Sequence, residues 1–519
     1  MANKTGEDSP AMRQYRDMKA ANGEALLLYQ MGDFYETFFD DAKQLADALS
    51  ITLTTRGNDS KGNPIMMSGF PLRALDQHLP RLLESGLRVV ICEQVEDASE
   101  AKGLVKREVT RVVTPGTVME DSLLDARKQV IIAAYLPASH KNKPAGVAWA
   151  ELSTGQFLCA EVAEGEVSAL LARLDPAELL MPEKLWVSKR EMVLAVRDMS
   201  KASLTAGADF SFDNQRATEE LLKQFGVSTL RGFGFESTKG ADVSAAGALL
   251  HYLLENQRGK LAHLGAIERF VPGSIMALDG ATLAALEITQ TLREGRRSGS
   301  LLDSIDRTLT AMGARELRNW LTGPVSDPKR ANARHAAVDE LVHTTKRLHL
   351  LKESLTGLPD LERLAGKLGA GRATPRDLAG LRDALRKLPL VQSTLKGCES
   401  ALLSYAADEL DALDDLCNLL TERLADEPPA NIKDGGVIRD GISIELDEQR
   451  GLGSNGRQWL SEYQTRIAEQ TGIPNIKIGF NSVFGYYIEV SHANANKVPE
   501  DFTRKQTLKS AERFITQEL

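Results

Sequence analysis

The sequence predicts a multidomain protein, α/β through its first half and all-α through most of its second. Three observations lead there. At 519 residues the chain is too long for one hydrophobic core, and three or four domains is the expectation. Up to about residue 265, short apolar runs alternate with helical patterns, as mixed α/β domains require. From about residue 270 the apolar positions fall at helical spacing over long stretches, and strand-like runs return only near residue 475.

Composition sets the bounds. With 42 % hydrophobic and 26 % charged residues the chain reads as an ordinary soluble protein. No run of eighteen apolar residues reads as a membrane span. The N-terminus, MANKTGEDSPAMRQY, lacks the basic-then-apolar order of a signal peptide. Cys92, Cys159, Cys398 and Cys417 are scattered without CxxC spacing and read as reduced core residues of a cytoplasmic protein. The histidines show neither HxxxH nor HExxH spacing, so no metal site is expected. A net charge of -9, and an acidic excess in the first 115 residues, argue against a generic polyanion binder. Any contact with nucleic acid has to come from a local basic surface, or from shape and stacking.

The first α/β domain covers residues 1 to about 116. Leu26–Met31 reads as a buried strand. It leads into Met31–Asp40, MGDFYETFFD, with three phenylalanines and a tyrosine in a chain that is only 5 % aromatic. Gly32-Asp33 reads as a strand-to-helix turn, with Asp33 able to cap the helix start. From Tyr35 the apolar positions 35, 38, 39, 42, 45, 46 and 49 follow one helix face. Phe34 precedes that face, so it can point outward, and Glu36 can project the same way. A Phe at a strand end is more often core, and a Glu near a helix start more often complements the dipole. Spacing alone leaves both readings open. Further strands are Ile51–Arg56, Leu87–Val95 and Glu108–Thr114. A loop covers Lys61–Pro71, and a helix covers 71–85 despite Pro80. Lys102, Lys106, Arg107 and Arg111 on the last strand are either a solvated edge or a basic surface.

After a linker at 117–126, Val130–Leu136, Gly146–Ser153 and Gln156–Glu161 read as strands, the last two joined by a Thr154-Gly155 turn. Helices follow at 166–174, about 215–225 and 242–257. Asp209 and Asp213 are isolated acids, not a metal-dependent nuclease centre. The helical region opens with Leu278–Gln290, capped by Asp279. In the next helix Leu317, Trp320 and Leu321 form one apolar face, ended by Pro324. Helices at 329–354, 360–368, 375–395 and 404–425 continue to the break at Glu427-Pro428-Pro429. A helix from about Asp440 to Thr471 carries Trp459, Tyr463 and Ile467. The strands Asn475–Phe480 and Gly485–Ser491 follow it.

Several of these stretches share one resemblance. GDFYE after a strand, TTRG at 54–57, KGNPIMMSGFP at 61–71, RVVTPGT at 111–117, TAMGARELRNWLTGPV at 310–325 and NIKIGFNSVFGYYIEVS at 475–491 resemble the MutS family of DNA mismatch repair proteins. Met66 stands where that family has Pro, and Leu72-Arg73 replaces an aromatic-His pair. The resemblance implies a mixed α/β mismatch-recognition domain at 1–116 and an RNase H-like α/β connector at 125–265. It implies long-helix core and lever at 266–439, a clamp with helices and a β-hairpin at 440–503, and the start of a descending lever helix at 504–519.

The resemblance also implies a function: recognition of mismatched or unpaired bases in duplex DNA, at the start of repair. Phe34 would wedge between base steps and Glu36 would touch a base as the duplex bends. Arg56, Met67, Arg107, Lys477, Asn481, Tyr486 and Arg504 are carried over as DNA-backbone candidates. No catalytic or metal-binding residue is assigned, and no cofactor is expected in this chain. ATP and Mg belong to full-length members, whereas G-x-x-x-x-G-K-[ST] is absent from these residues. The resemblance reaches only the N-terminal part of the family's length, so the chain reads as a fragment or a truncated gene. Expected partners are mismatched or looped duplex DNA, a second copy in a homodimer, and a MutL-type repair protein, in a bacterial cytoplasm at the nucleoid and away from membranes. The alternative is a scaffold of the same fold that has lost mismatch reading.

Overall fold

A computed structural model describes residues 9–519, apart from 59–61, 97–104, 120–122, 258–260, 475, 482–484, 500, 509 and 517. Lys61, Lys102 and Asn475, used above to read a loop and two strands, thus lie outside the described residues. The chain forms two units, Met1–Leu420 with Pro429–Asp434, and Thr421–Pro428 with Gly435–Leu519. No helix among the described residues is long and apolar enough to cross a membrane.

The first unit begins with a helix that the sequence reading missed, α1 (Pro10–Ala21). Ser9 caps it by accepting from Met12 N, and Pro10 occupies the first turn. Then come β1 (Leu26–Met31), β2 (Phe34–Phe38), α2 (Phe39–Leu49), β3 (Thr54–Asn58), β4 (Pro64–Pro71), α3 (Leu75–Glu84), β5 (Val89–Gln94) and β6 (Arg107–Val113). The strands form one sheet in the order β3-β4-β2-β1-β5-β6, antiparallel except for β1 beside β5. Helices α2 and α3 cover one face, packing Leu45, Leu49, Leu79 and Leu82 with Tyr35 and Phe70. Helix α1 covers the other, packing Met12 and Tyr15 with Leu27, Tyr29 and Phe38.

Three expectations change here. Gly32-Asp33 turns a strand into a strand, and α2 begins at Phe39 without a side-chain cap. Most of the loop expected at Lys61–Pro71 is a strand, because Pro64–Pro71 pairs with β2 on one side and β3 on the other. Its Ile65, Ser68 and Phe70 are buried and its prolines sit at the ends, where a ladder tolerates them. The strand expected at 51–56 lies at Thr54–Asn58. Helix α3 does run through Pro80.

The second sheet is built from β7 (Ile132–Leu136), β8 (Ala145–Glu151), β9 (Gln156–Val162), β10 (Glu178–Pro182), β11 (Ser203–Gly207) and β12 (Glu268–Arg269), in the order β11-β10-β7-β8-β9-β12. Its helices are α4 (Val167–Leu174), α5 (Lys184–Ser188), α6 (Arg190–Ser200), α7 (Asn214–Phe225) and α8 (Ala241–Asn256). Buried α8 crosses one face and α4 with α6 cover the other. The buried Glu178 ties this sheet to the end of the first. It accepts from Thr114 Oγ1, from Gly116 N at 3.1 Å, from Thr205 Oγ1 at 2.7 Å and from Tyr252 Oη at 2.6 Å. Burial, reinforced by Glu178, pushes the Tyr252 hydroxyl above the ordinary phenol range.

Ten helices follow: α9 (Gly280–Ala285), α10 (Leu301–Ile305), α11 (Ala311–Thr322), α12 (Pro328–His343), α13 (Thr345–Leu355), α14 (Leu361–Gly369), α15 (Pro375–Leu385), α16 (Leu388–Leu395), α17 (Ala401–Glu409) and α18 (Asp414–Arg423). None exceeds 16 residues, so the long helices expected at 266–439 are instead shorter pairs. The 329–354 run breaks at Thr344, whose hydroxyl bonds back to Glu340 O at 2.6 Å. The 375–395 run breaks before Leu388-Pro389, where proline cannot extend the preceding turn. Asp279 caps α9 as expected, but the chain leaves the helix at Glu287, which has a positive φ of 47°. Trp320 is half-exposed rather than core, with the Arg334 guanidinium 3.7 Å above its ring.

These helices grip the linker that precedes β7. Arg315, buried, donates to Ala126 O at 3.0 Å while paired with Asp360 and Glu362. Arg363 donates to Asp125 O and Lys128 O at 3.1 and 2.7 Å.

In the second unit α19 (Ile444–Thr471) packs Tyr463 and Ile467 on an antiparallel sheet ordered β13-β14-β16-β15. The strands are β13 (Lys477–Asn481), β14 (Gly485–Ser491), β15 (Thr503–Thr507) and β16 (Ala511–Ile515). Residues 504–519 therefore do not start a lever helix. Phe514 pairs with Ile488 and enters the core, and Leu508 N bonds Ala511 O at 2.8 Å to close a hairpin. Trp459 stacks on Tyr463 at 5.0 Å and stays half-exposed.

One carboxylate in the first unit generates a pH prediction. Burial alone would raise the pKa of Asp306. Hydrogen bonds from Thr308 N, Thr308 Oγ1 and Arg297, with the charge of Arg127, outweigh it and hold the pKa down at about 2. A carboxylate held below its unfolded pKa stabilises the fold above that value, and the gain is lost as the pH falls toward the folded one. Asp306→Asn is expected to lower the melting temperature at pH 7, and the gap to the parent should close between pH 4 and pH 2. A gap that is constant over that window would contradict the assignment.

Candidate nucleic-acid interface

The β1–β2 hairpin is closed by the pair Met31↔Phe34 across a two-residue turn in which Gly32 takes a φ of 60°. Strand alternation then sends Tyr35 to the α2–α3 face, where it is 3 % exposed and donates to Glu93 Oε1 at 2.9 Å. Phe34 and Glu36 share the opposite face with Phe38. Phe38 is buried under α1, whereas Phe34, at the turn end, is 46 % exposed. The two candidate residues do point the same way, but through a strand's period of two and not from a helix start.

Helix α1 is fixed to this face by a buried carboxylate. Asp41 accepts from Leu27 N at 3.0 Å and Tyr15 Oη at 3.1 Å, and pairs with Lys19 Nζ at 2.7 Å. The Tyr15 ring meets Tyr29 and Phe38 edge-on at 5.6 and 5.0 Å. One ionic cluster thus joins the two helices to the central strand.

Glu36 lies opposite Tyr29 on β1 and Gly69 on β4. A side chain at Gly69 has no room, since a Cβ would sit 2.4 Å from Tyr35 O. Glu36 Oε2 is 2.6 Å from Arg56 Nη1, which reaches over from the edge strand β3. Burial pushes the Glu36 carboxyl above the usual carboxylate range, and Arg56 opposes that. The arrangement is an accessible ring beside a carboxylate that is already paired.

Two backbone candidates fall away. Arg107 is buried, stacked 4.9 Å from the Tyr29 ring, and donates to Gln30 O at 2.7 Å and Val105 O at 3.0 Å. The alternation of β6 turns it inward beside Val109, so it holds the sheet together and does not face phosphate. Met67, opposite Phe38 on β4, packs against the α1-side core and has no polar donor.

In the second unit Lys477 and Tyr486 are exposed and Asn481 is half-buried, all on the β13–β14 hairpin. Phe480, passed over in the sequence, is 65 % exposed and pairs across the hairpin with Tyr486, ring centroids 5.2 Å apart. Alternation gave no signal for it, since period two from the buried Ile476 puts Ile478 and Phe480 on the same side of β13. Tyr487 is buried under Arg513, at 4.3 Å. Arg504 lies on exposed edge strand β15, paired with Glu512 at 3.2 Å. Among the described residues no group of three His, Cys, Asp or Glu could hold a metal ion.

Comparison with known proteins gives matches along the chain. Profiles described as MutS domain I, MutS domain II and MutS domain III match residues 9–122, 129–266 and 281–519. A DNA mismatch repair protein MutS from Rhodopirellula baltica is 42 % identical over 98 % of this chain and 58 % of its own length. Proteins of the same name from Salinibacter ruber and Methanothrix thermoacetophila are 41 % and 42 % identical, again over 98 % of this chain, and 56 % and 57 % of theirs. The chain thus spans a little over half the length of these relatives.

The geometry of the hairpin makes Phe34 and Phe38 opposite cases. Phe38→Ala should cost roughly 3–5 kcal/mol of stability, and Phe34→Ala under about 1 kcal/mol, by denaturant unfolding of each variant. Equal losses at both positions would place Phe34 in the core.

Proposed function

The chain belongs to the MutS family of DNA mismatch repair proteins, and from that premise we propose that it binds duplex DNA at mismatched or unpaired bases through the β1–β2 hairpin. The observation that carries the reading is the exposure of Phe34 beside Glu36 on one face of the first sheet, in the stretch that matches domain I. A flat ring that projects from a rigid hairpin can enter a base step and stack there, worth roughly 1–3 kcal/mol per base. Opening the step costs a few kcal/mol, least where pairing is already faulty. The ring therefore favours a mispair without reading any particular base, and the wedge bends the duplex at that step. Glu36 repels phosphates and accepts a hydrogen bond from a base only where the step has opened. It lowers affinity for perfect duplex and so sharpens the preference.

The remaining parts of the proposal rest on family membership. Residues 125–265 serve as an RNase H-like connector and 266–439 as core and lever. The β13–β14 hairpin serves as a clamp element, with Lys477, Asn481, Tyr486 and Arg504 as backbone contacts. Pairing with a second copy, a MutL-type partner, nucleoid-associated cytoplasmic localisation and the use of ATP with Mg are proposed for the whole protein only. These 519 residues hold no G-x-x-x-x-G-K-[ST] loop to cradle phosphates.

Paired affinities for a G·T and a G·C duplex test the reading. Phe34→Ala should reduce mismatch binding by one to two decades, as expected from loss of roughly 1–3 kcal/mol of stacking. Glu36→Ala should tighten binding to the matched duplex. Folded variants that keep the parent's ratio of affinities would overturn it.

A further inference from the structure

We propose that Arg56 sets the discrimination of the β1–β2 hairpin, by competing with DNA for the Glu36 carboxylate. The inference rests on the reading of Phe34 and Glu36 just given. Arg56 was carried over from the resemblance as a phosphate contact, but the geometry gives it another task.

Arg56 sits on β3, the edge strand of the first sheet, where all five residues are exposed. Its Nη1 lies 2.6 Å from Glu36 Oε2, and among the described residues it is the only hydrogen-bond partner of that carboxylate. The pair is unequal. The Arg56 side chain keeps 48 % of its accessible surface, and Glu36 keeps 18 %. Glu36 lies on β2 inside the sheet, opposite Tyr29 and Gly69, whereas Arg56 lies on its edge. Gly69, which has no room for a Cβ, supplies no side chain to take over from Arg56.

A duplex that approaches Phe34 thus meets a carboxylate whose charge is already compensated. On a matched duplex the ion pair persists, and repulsion between Glu36 and the phosphates is muted. On a mismatch a base meets a carboxylate that Arg56 already engages at Oε2, and the compensated charge makes its other oxygen a weaker acceptor. Arg56 therefore raises matched binding and holds back mismatched binding. Removing it should widen the gap, and only while Glu36 carries its charge. A plain phosphate contact behaves differently, since its loss weakens all duplexes alike and lowers the salt slope by about one.

The test is a double-mutant cycle on the 519-residue chain with Arg56→Ala, Glu36→Gln and both together, each checked by a melting curve. Affinities for G·T and G·C duplexes are measured at two salt concentrations. Arg56→Ala should raise the G·T to G·C ratio about threefold, within what a partly exposed ion pair can deliver. The same change in the Glu36→Gln background should leave the ratio where Glu36→Gln alone sets it. Arg56→Lys, which keeps the charge but loses the planar fork, should fall between. Equal losses for both duplexes in both backgrounds, or no change at all, would overturn the proposal. The underlying reading fails separately. If neither Phe34→Ala nor Glu36→Gln moves the ratio, the hairpin does not read mismatches and the role of Arg56 falls with it. If those variants move it while Arg56→Ala acts additively, only the competition is lost.

Discussion

Register in the β1–β2 hairpin decides what the first domain presents to the outside. The turn admits two residues, Met31 faces Phe34, and every later side chain on β2 is committed to one face or the other. A slip by one residue would bury Phe34 and Glu36 beneath α2 and α3 and expose Tyr35 and Thr37. Partners on both sides prevent it. Phe70 and Glu93 hold Tyr35, while Tyr15 and Tyr29 hold Phe38. The exposed ring is thus the residue left over once its neighbours along the strand have found partners.

Support for that hairpin extends through the first unit. The Asp41 cluster fixes α1 and α2 to β1, and the Glu178 cluster carries the end of β6 into the second sheet. Arg315 and Arg363 then fasten the next linker to the helices that follow. Each junction is a buried charge whose hydrogen bonds go to backbone as well as to side chains. Breaking one would leave an uncompensated buried charge, which is costly. The wedge proposed for Phe34 has to remain rigid while base pairs yield, and buried ionic junctions meet that requirement better than a flexible tether.

Much of this was legible in the sequence, and the misses have physical causes. The Leu26–Met31 strand, α4, α7, α8 and the Asp279 cap follow from clear periodicity and a good capping residue. Between 33 and 39 the aromatic positions satisfy both the helical and the strand period, and only pairing with β4 decides between them. The projection of Phe34 and Glu36 was anticipated, although its geometric reason was wrong. Arg107 looked like a surface cation because composition cannot show that β6 turns it under α1 and onto Tyr29. Residues 504–519 looked helical by likeness, yet alternation around Phe514 makes a hairpin. The Glu36–Arg56 pair was out of reach, since twenty residues separate its partners in sequence and a bulge in β3 intervenes.

The central claim is that the Phe34 ring enters the duplex where pairing is faulty. Fluorescence of 2-aminopurine beside a G·T pair reports unstacking directly, independent of how tightly the chain binds. At saturating protein the account predicts a rise for the mismatched duplex, little change for the matched one, and loss of the rise with Phe34→Ala. An equal rise on both duplexes, or a full rise without the ring, would contradict it.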